Sequence, residues 1–266
     1  MHNLVSSRSP EGGPSPALGN GSSRQVAAEE WRARVDLAAV YRLCAHYQWT
    51  DSIYTHISMR APGERAFLMN PFGYMFDEVT ASSLVKINFD GKILHDPVGL
   101  GFNWAGFIIH GAILASRPDV MCVIHTHTRA GAGVSAQKAG LLPLSQQAAG
   151  FMGRLGYHYF EGTALNKDEQ QRFVRDLGPY YAMILRNHGL VTAGRSAGEA
   201  FCLMYALERA CEVQIAALSG GVEVEQITQQ AIDECVGAMD RANGAFNRDW
   251  TAFLRLADKI APDFRT

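Results

Sequence analysis

The chain has 266 residues, of which 47% are apolar and 19% are charged, and its formal net charge is −2. This composition is typical of a globular protein and lacks the basic excess of nucleic-acid-binding proteins. No apolar run approaches the roughly 20 residues that cross a membrane, and no secretory signal is recognisable. The five cysteines are scattered through apolar segments, which predicts reduced thiols and a cytoplasmic protein. We therefore expect neither nucleic acid nor a membrane as a partner.

The chain divides into two compositional regions. Residues 1–25 are rich in Ser, Pro and Gly, which predicts a disordered tail, and residues 26–266 are expected to form a single domain. An amphipathic helix is predicted over 27–47. Short runs with turn residues between them predict strands, and apolar helical spacing predicts further helices. These strands span 55–60, 66–70 and 84–89, and the helices span 103–116, 197–218 and 227–253.

The stretch VMCVIHTHT in the middle of the chain reads as a buried strand that ends in two histidines. Alternate strand residues point to the same face, so His125 and His127 are expected side by side, with Thr126 opposite. Imidazole is the commonest metal ligand, and such a pair could hold one ion. The pattern alone is also compatible with two solvated histidines at a strand end.

A third histidine lies in a tight turn, Asn187-His188-Gly189, between two predicted strands over 182–194. We expect Gly189 to supply the positive φ that such a turn needs. If the sheet places this turn beside His127, three imidazoles leave one coordination position open, as catalytic metal sites do. His188 could equally be an ordinary turn residue. His110 lies on an apolar helix face and is predicted to be a buried core histidine.

Several segments together resemble the class II aldolase/adducin family: RPDVMCVIHTHT, LLPLSQQA and RNHGLVTAGRSAGEAF, preceded in order by YTHISMR, NPFGYMF and EVTASSLVKI. The resemblance extends from about Val26 to Leu218. It implies an α/β fold with three α/β/α layers, in which helices flank a large, mostly antiparallel sheet. It also implies a homotetramer and one divalent metal ion, most often Zn²⁺, with Mn²⁺ or Fe²⁺ possible. The residues that match the metal ligands are His125, His127 and His188.

The chain also departs from the sugar-phosphate aldolases of this family. Those enzymes place an acidic residue four positions before the histidine that matches His110, directly after a serine pair that binds phosphate. Trp104-Ala105-Gly106 stands there in this chain, and His56 replaces an early phosphate-binding asparagine. The resemblance is therefore to the adducin-like branch and not to a typical sugar-phosphate aldolase.

Two functions are compatible with these observations. The first is a metal-dependent lyase, either an aldolase or a decarboxylase, that acts on a small non-phosphorylated carboxylic or keto acid and whose metal stabilises an enolate. The alternative is a non-catalytic, adducin-like interaction module that retains a metal site. Candidate catalytic residues are His56, Tyr157 and His158, and candidate substrate-binding residues are Asn70, Gly73, Gln146 and Gln147.

Overall fold

The computed structural model describes residues 26–163, 167–242 and 246–266, so the predicted tail lies outside the described residues. Eight strands form one sheet: β1 (His56–Arg60), β2 (Ala66–Met69), β3 (Val85–Asn88), β4 (Ile93–His95), β5 (Cys122–Thr126), β6 (Gly156–His158), β7 (Ala182–Leu185) and β8 (Gly189–Gly194). Their order is β4-β3-β2-β1-β5-β8-β7-β6, and only β6 and β7 pair in parallel. The predicted mostly antiparallel sheet is confirmed.

Helices cover both faces of this sheet: α1 (Ala28–His46), α2 (Trp104–Ser116), α3 (Arg129–Ser135), α4 (Gln146–Ala149), α5 (Glu169–Leu177), α6 (Ala197–Ser219), α7 (Gln229–Ala242) and α8 (Asn247–Ile260). Alternate strand residues such as Ile57 and Ile124 pack under α1 and α6. The opposite set, which includes Val123 and Val191, packs under α2 and α5. The three-layer arrangement is therefore confirmed. Among the described helices, none combines the length and apolar character needed to span a bilayer.

Most helix and strand boundaries fall within a residue or two of their predicted positions. The Asn103 side chain caps α2 by accepting from the backbone N–H of Ala105, and Ser196 caps α6 in the same way through Glu199. The single helix predicted over 227–253 is wrong, because two helices, α7 and α8, occupy that part of the chain. The sequence between them contains Asn243-Gly244, two residue types that favour helix ends.

One buried tyrosine joins α1 to the first two strands. The Tyr41 hydroxyl accepts from the backbone N–H of Ile57 at 2.9 Å and of Asn70 at 3.1 Å. It also lies 2.8 Å from Oδ1 of Asn70, whose side chain is buried at the end of β2. A single hydroxyl therefore satisfies two backbone groups that water cannot reach.

Replacing Tyr41 with Phe should lower the free energy of unfolding by about 2–4 kcal/mol, because two buried N–H groups lose their acceptor. Tyr74 provides a matched control, since it is half-buried and its hydroxyl bonds to no described residue. Tyr74→Phe should change stability by less than about 0.5 kcal/mol. Urea unfolding followed by circular dichroism measures both values, and equal effects of the two substitutions would refute this role for Tyr41.

Candidate metal centre

Strand pairing brings three segments that are distant in sequence together at one end of the central strands. β5 lies between β1 and β8 and is antiparallel to both, so its end meets the start of each neighbour. His56 is opposite His125 in the first pair, and Leu190 is opposite Thr126 in the second. The histidines predicted from separate motifs therefore meet at this end of the strands.

Three imidazoles converge at the end of β5. The Nε2 atom of His127 lies 2.8 Å from Nε2 of His125 and 2.9 Å from Nε2 of His188. In the part of the chain that the structure describes, these three residues are the only group of histidines, cysteines and carboxylates close enough to hold one metal ion. His125 is buried, whereas the other two are half-buried, so the cluster is accessible from one side.

The turn that carries His188 differs from its prediction in one respect. Asn187, and not Gly189, adopts the positive φ, at 56°. Asparagine tolerates this left-handed conformation better than most residues. Gly189 is required for a different reason: a Cβ there would lie 2.2 Å from the backbone oxygen of Thr126. The absence of a side chain lets β8 approach β5 closely enough for His188 to join the cluster.

Two hydrogen bonds orient the ligand nitrogens. Nδ1 of His125 lies 2.9 Å from the backbone oxygen of Leu190, which can only accept, so the proton is on Nδ1 and Nε2 is free to bind metal. Nδ1 of His127 lies 2.9 Å from the Asp51 carboxylate, which fixes the same tautomer. Sequence reasoning missed Asp51, because the loop before β1 has no periodic pattern and the chain shows no motif that pairs it with His127.

The electrostatics of the cluster favour a bound cation. Burial, together with the neighbouring histidines, lowers the pKa of His125 and lowers that of His188 to about 4. Both rings are therefore neutral at pH 7, and a neutral imidazole can offer a nitrogen lone pair to a cation. This donor set fits a divalent ion with a preference for nitrogen ligands, such as zinc, which binds imidazole through one nitrogen of each ring.

The predicted catalytic residues are only partly brought together. His56 lies beside the cluster, with its ring centroid 5.0 Å from that of His125. His158 is buried, and its two ring nitrogens face Asp176 at 2.8 Å and Glu169 at 3.3 Å. The Tyr157 hydroxyl accepts from the backbone N–H of Leu141. Consecutive strand residues point to opposite faces, so Tyr157 and His158 cannot line one pocket.

The predicted substrate-binding residues are also separated. β2 ends at Met69, opposite Ser58 of β1, so the segment 70–73 leaves the sheet at the edge where the histidines lie. Asn70 itself is buried against Tyr41, whereas Gly73 is exposed. Gln146 and Gln147 lie on α4, which packs against α6 and α7. Among the described residues, no hydrogen bond joins any of these four residues to His125, His127 or His188.

Comparison with known proteins identifies the family. The model of the "Class II Aldolase and Adducin N-terminal domain" matches residues 35–215. The chain belongs to this family. A solved aldolase II superfamily protein from Pseudomonas syringae is 50% identical and superposes with a TM-score of 0.86, covering 91% of this chain and 98% of that one.

Two further proteins are similar to this chain, one in sequence and one in fold. Alpha-adducin of Rattus norvegicus is 47% identical over 189 residues, which are 70% of this chain but 26% of the adducin. L-fuculose 1-phosphate aldolase from Glaciozyma antarctica has a TM-score of 0.80 at 24% identity, covering 96% of this chain and 97% of that one. The second likeness shows the fold. The predicted resemblance to the adducin-like branch is confirmed.

A buried carboxyl group lies behind the metal centre, on the opposite face of β5. Glu208 of α6 accepts hydrogen bonds from the hydroxyls of Thr126, at 3.5 Å, and Thr128. Burial raises its pKa from 4.5 to about 7, and the nearby Glu212 adds to the shift. The His-Thr-His-Thr sequence thus directs imidazoles to the metal centre and hydroxyls to this carboxyl group.

We expect Asp51→Asn to weaken zinc binding by about 10- to 100-fold, because the amide no longer holds His127 in the required tautomer. Asp77→Asn is a suitable control, since Asp77 is exposed and bonds to none of the three histidines among the described residues. Competition with a chromophoric chelator measures both affinities. Equal zinc affinity of the two variants would show that Asp51 does not support the site.

Glu208 makes stability depend on pH. Its folded-state pKa is above the unfolded value, so its contribution is complete below about pH 4.5 and is lost as pH rises through 7. Glu208→Gln should therefore be more stable than wild type at pH 8, by about 2–4 kcal/mol, and similar to it near pH 5. Urea unfolding at both pH values tests this difference. Glu223 is at an exposed position beyond α6, and Glu223→Gln should not show this difference in stability between the two pH values.

Proposed function

We propose that this protein is a metal-dependent lyase that acts on a small non-phosphorylated carboxylic or keto acid, by aldol cleavage or decarboxylation. The observation that carries the proposal is the convergence of three Nε2 atoms at a partly open edge of the sheet. His125, His127 and His188 would hold the ion, for which we propose Zn²⁺, with Mn²⁺ or Fe²⁺ as substitutes. A bound ion would supply Lewis-acid polarisation of a substrate oxygen.

The side chains around the cluster support a small substrate. His125 is buried whereas His127 and His188 are half-buried, so a substrate would meet the cluster on the side of these two ligands. Phe160 is exposed and its ring lies edge-on to His188, with centroids 6.0 Å apart. This ring offers an apolar contact beside the ligands at the point of entry.

Two features support a substrate without a phosphate group. The arginine closest in sequence to His188 is Arg186, whose guanidinium donates to the backbone oxygen of Gln137 and stacks on Tyr157. It is therefore turned away from the cluster. Asn103 uses its side chain to cap α2, and the next residues, Trp104 and Ala105, have no hydroxyl that could donate to a phosphate.

A second candidate function is a non-catalytic interaction module that keeps the metal. The 47% identity to alpha-adducin favours it, since this is nearly the identity to the aldolase II superfamily protein. Gly106 also favours it, because no carboxylate stands at the position where the family resemblance implies an acid. The two candidates make different predictions about acid binding and proton exchange at the metal centre.

We further propose a homotetramer in the cytoplasm. Large apolar side chains are exposed along the second half of α6, namely Val213, Ile215 and Leu218, and burying them between copies would be favourable. All five cysteines are free, and four of them are buried, which suits a reducing compartment. Sedimentation velocity would measure the number of subunits.

Protein purified without chelators should contain close to one divalent ion per chain, and His125→Ala or His188→Ala should reduce this content at least tenfold. The zinc-loaded wild type should exchange the methyl protons of pyruvate in deuterated water, as followed by NMR, whereas these variants should not. Absence of bound metal would refute the lyase proposal. Full metal occupancy without exchange across a panel of keto acids would favour the interaction module.

A further inference from the structure

Three buried polar side chains form a line that leads to the metal centre. Ser58 Oγ lies 2.6 Å from Nδ1 of His110, and Nε2 of His110 lies 2.9 Å from Nδ1 of His56. Each of the three side chains is almost fully buried. This line joins β1 to α2 across the face of the sheet that also carries His125. It confirms that His110 is a buried core histidine and gives it two hydrogen-bond partners.

The Ser58 hydroxyl determines which ring nitrogen of His110 and of His56 carries a proton. This hydroxyl has one partner among the described residues, and a buried hydroxyl hydrogen without an acceptor is costly. Ser58 therefore donates to Nδ1 of His110. His110 must then carry its own proton on Nε2 and donate it to Nδ1 of His56. As a result, the proton of the neutral His56 ring is on Nε2.

The Nε2 atom of His56 is free to bond outside the protein. It has no hydrogen-bond partner among the described residues, and it is not one of the fully buried polar atoms that lack one. Although His56 as a whole is only 2% exposed, this nitrogen is therefore not completely sealed off by the protein. The His56 ring centroid lies 5.0 Å from that of His125, so the accessible part of the His56 ring adjoins the cluster.

Gly106 determines where the His56 ring lies. A Cβ at position 106 would be 2.8 Å from both Cγ and Cδ2 of His56, and 3.1 Å from Nδ1. Any side chain other than hydrogen would push the ring away from α2 and from His110. Gly106 and His110 lie four residues apart on α2, so this helix both leaves room for the His56 ring and contacts its Nδ1.

We propose that His56 is a specificity-determining residue, whose Nε2–H donates a hydrogen bond to a carboxylate or carbonyl oxygen of an acid bound at the metal centre. Ser58 and His110 are positioning residues that fix the donor, and Gly106 provides the space for it. The inference rests on the proposed acid-metabolising function. A neutral donor held in place suits an oxygen acceptor and leaves a ligand without such an oxygen less well recognised, because a fixed N–H without an acceptor is penalised.

Calorimetric titration of zinc-loaded protein with pyruvate tests the donor. His56→Leu should weaken pyruvate binding at least tenfold, whereas His56→Gln, whose amide N–H can reach the same place, should bind within about threefold of wild type. His110→Leu and His110→Gln should show the same contrast. Zinc affinity, measured beforehand by chelator competition, should stay within threefold in all four variants.

The role of Gly106 is tested with a matched pair on α2. Gly106→Ala should weaken pyruvate binding about tenfold or more, while Gly111→Ala should not, because its Cβ would meet Phe107 at an ordinary 3.5 Å. Neutron crystallography of the zinc-bound wild type should show deuterium on Nε2 of both His56 and His110. Deuterium on Nδ1 of His56, or equal pyruvate affinity in Gly106→Ala, His56→Leu and wild type, would overturn the inference and leave the proposed function standing. A wild type that binds zinc but no pyruvate would overturn both.

Discussion

The antiparallel pairing of β5 with both of its neighbours is the constraint on which the metal centre depends. Side chains alternate along β5, so a shift of its register by one residue would turn His125 away from α2 and towards α6. Because Gly189 has no side chain, its backbone can approach that of Thr126 closely at this end of the strands. The ligands therefore meet because the backbone of three segments is paired in one register.

The ligands differ in how firmly the fold holds them. His125 is oriented by the backbone oxygen of Leu190, which belongs to the same pair of strands, so its geometry is as stable as the sheet itself. His127 lies beyond the end of β5 and depends on the exposed carboxylate of Asp51. The centre thus combines one ligand built into the core with another supported by a loop.

Much of this arrangement could be predicted from the sequence, and the exceptions have physical reasons. Strand alternation placed His125 and His127 on one face, because that period follows directly from β geometry. His188 required knowledge of which strands pair, which local patterns do not contain. Asp51 was missed because its partner is 76 residues away. Tyr157 and His158 were both proposed as catalytic residues, although neighbouring strand residues point to opposite faces of the sheet.

The contact between His56 and Gly106 has a consequence for how this site can change. An imidazole at 56 excludes any side chain at 106, and a carboxylate at 106 would require a shorter residue at 56. Neither position can therefore be altered alone without a poorly packed intermediate. The residues at positions 56 and 106 are therefore expected to vary together. Relatives should divide into those with glycine at 106 and those with a small residue at 56. Such a division would separate binding preferences within the family without any change in its metal ligands.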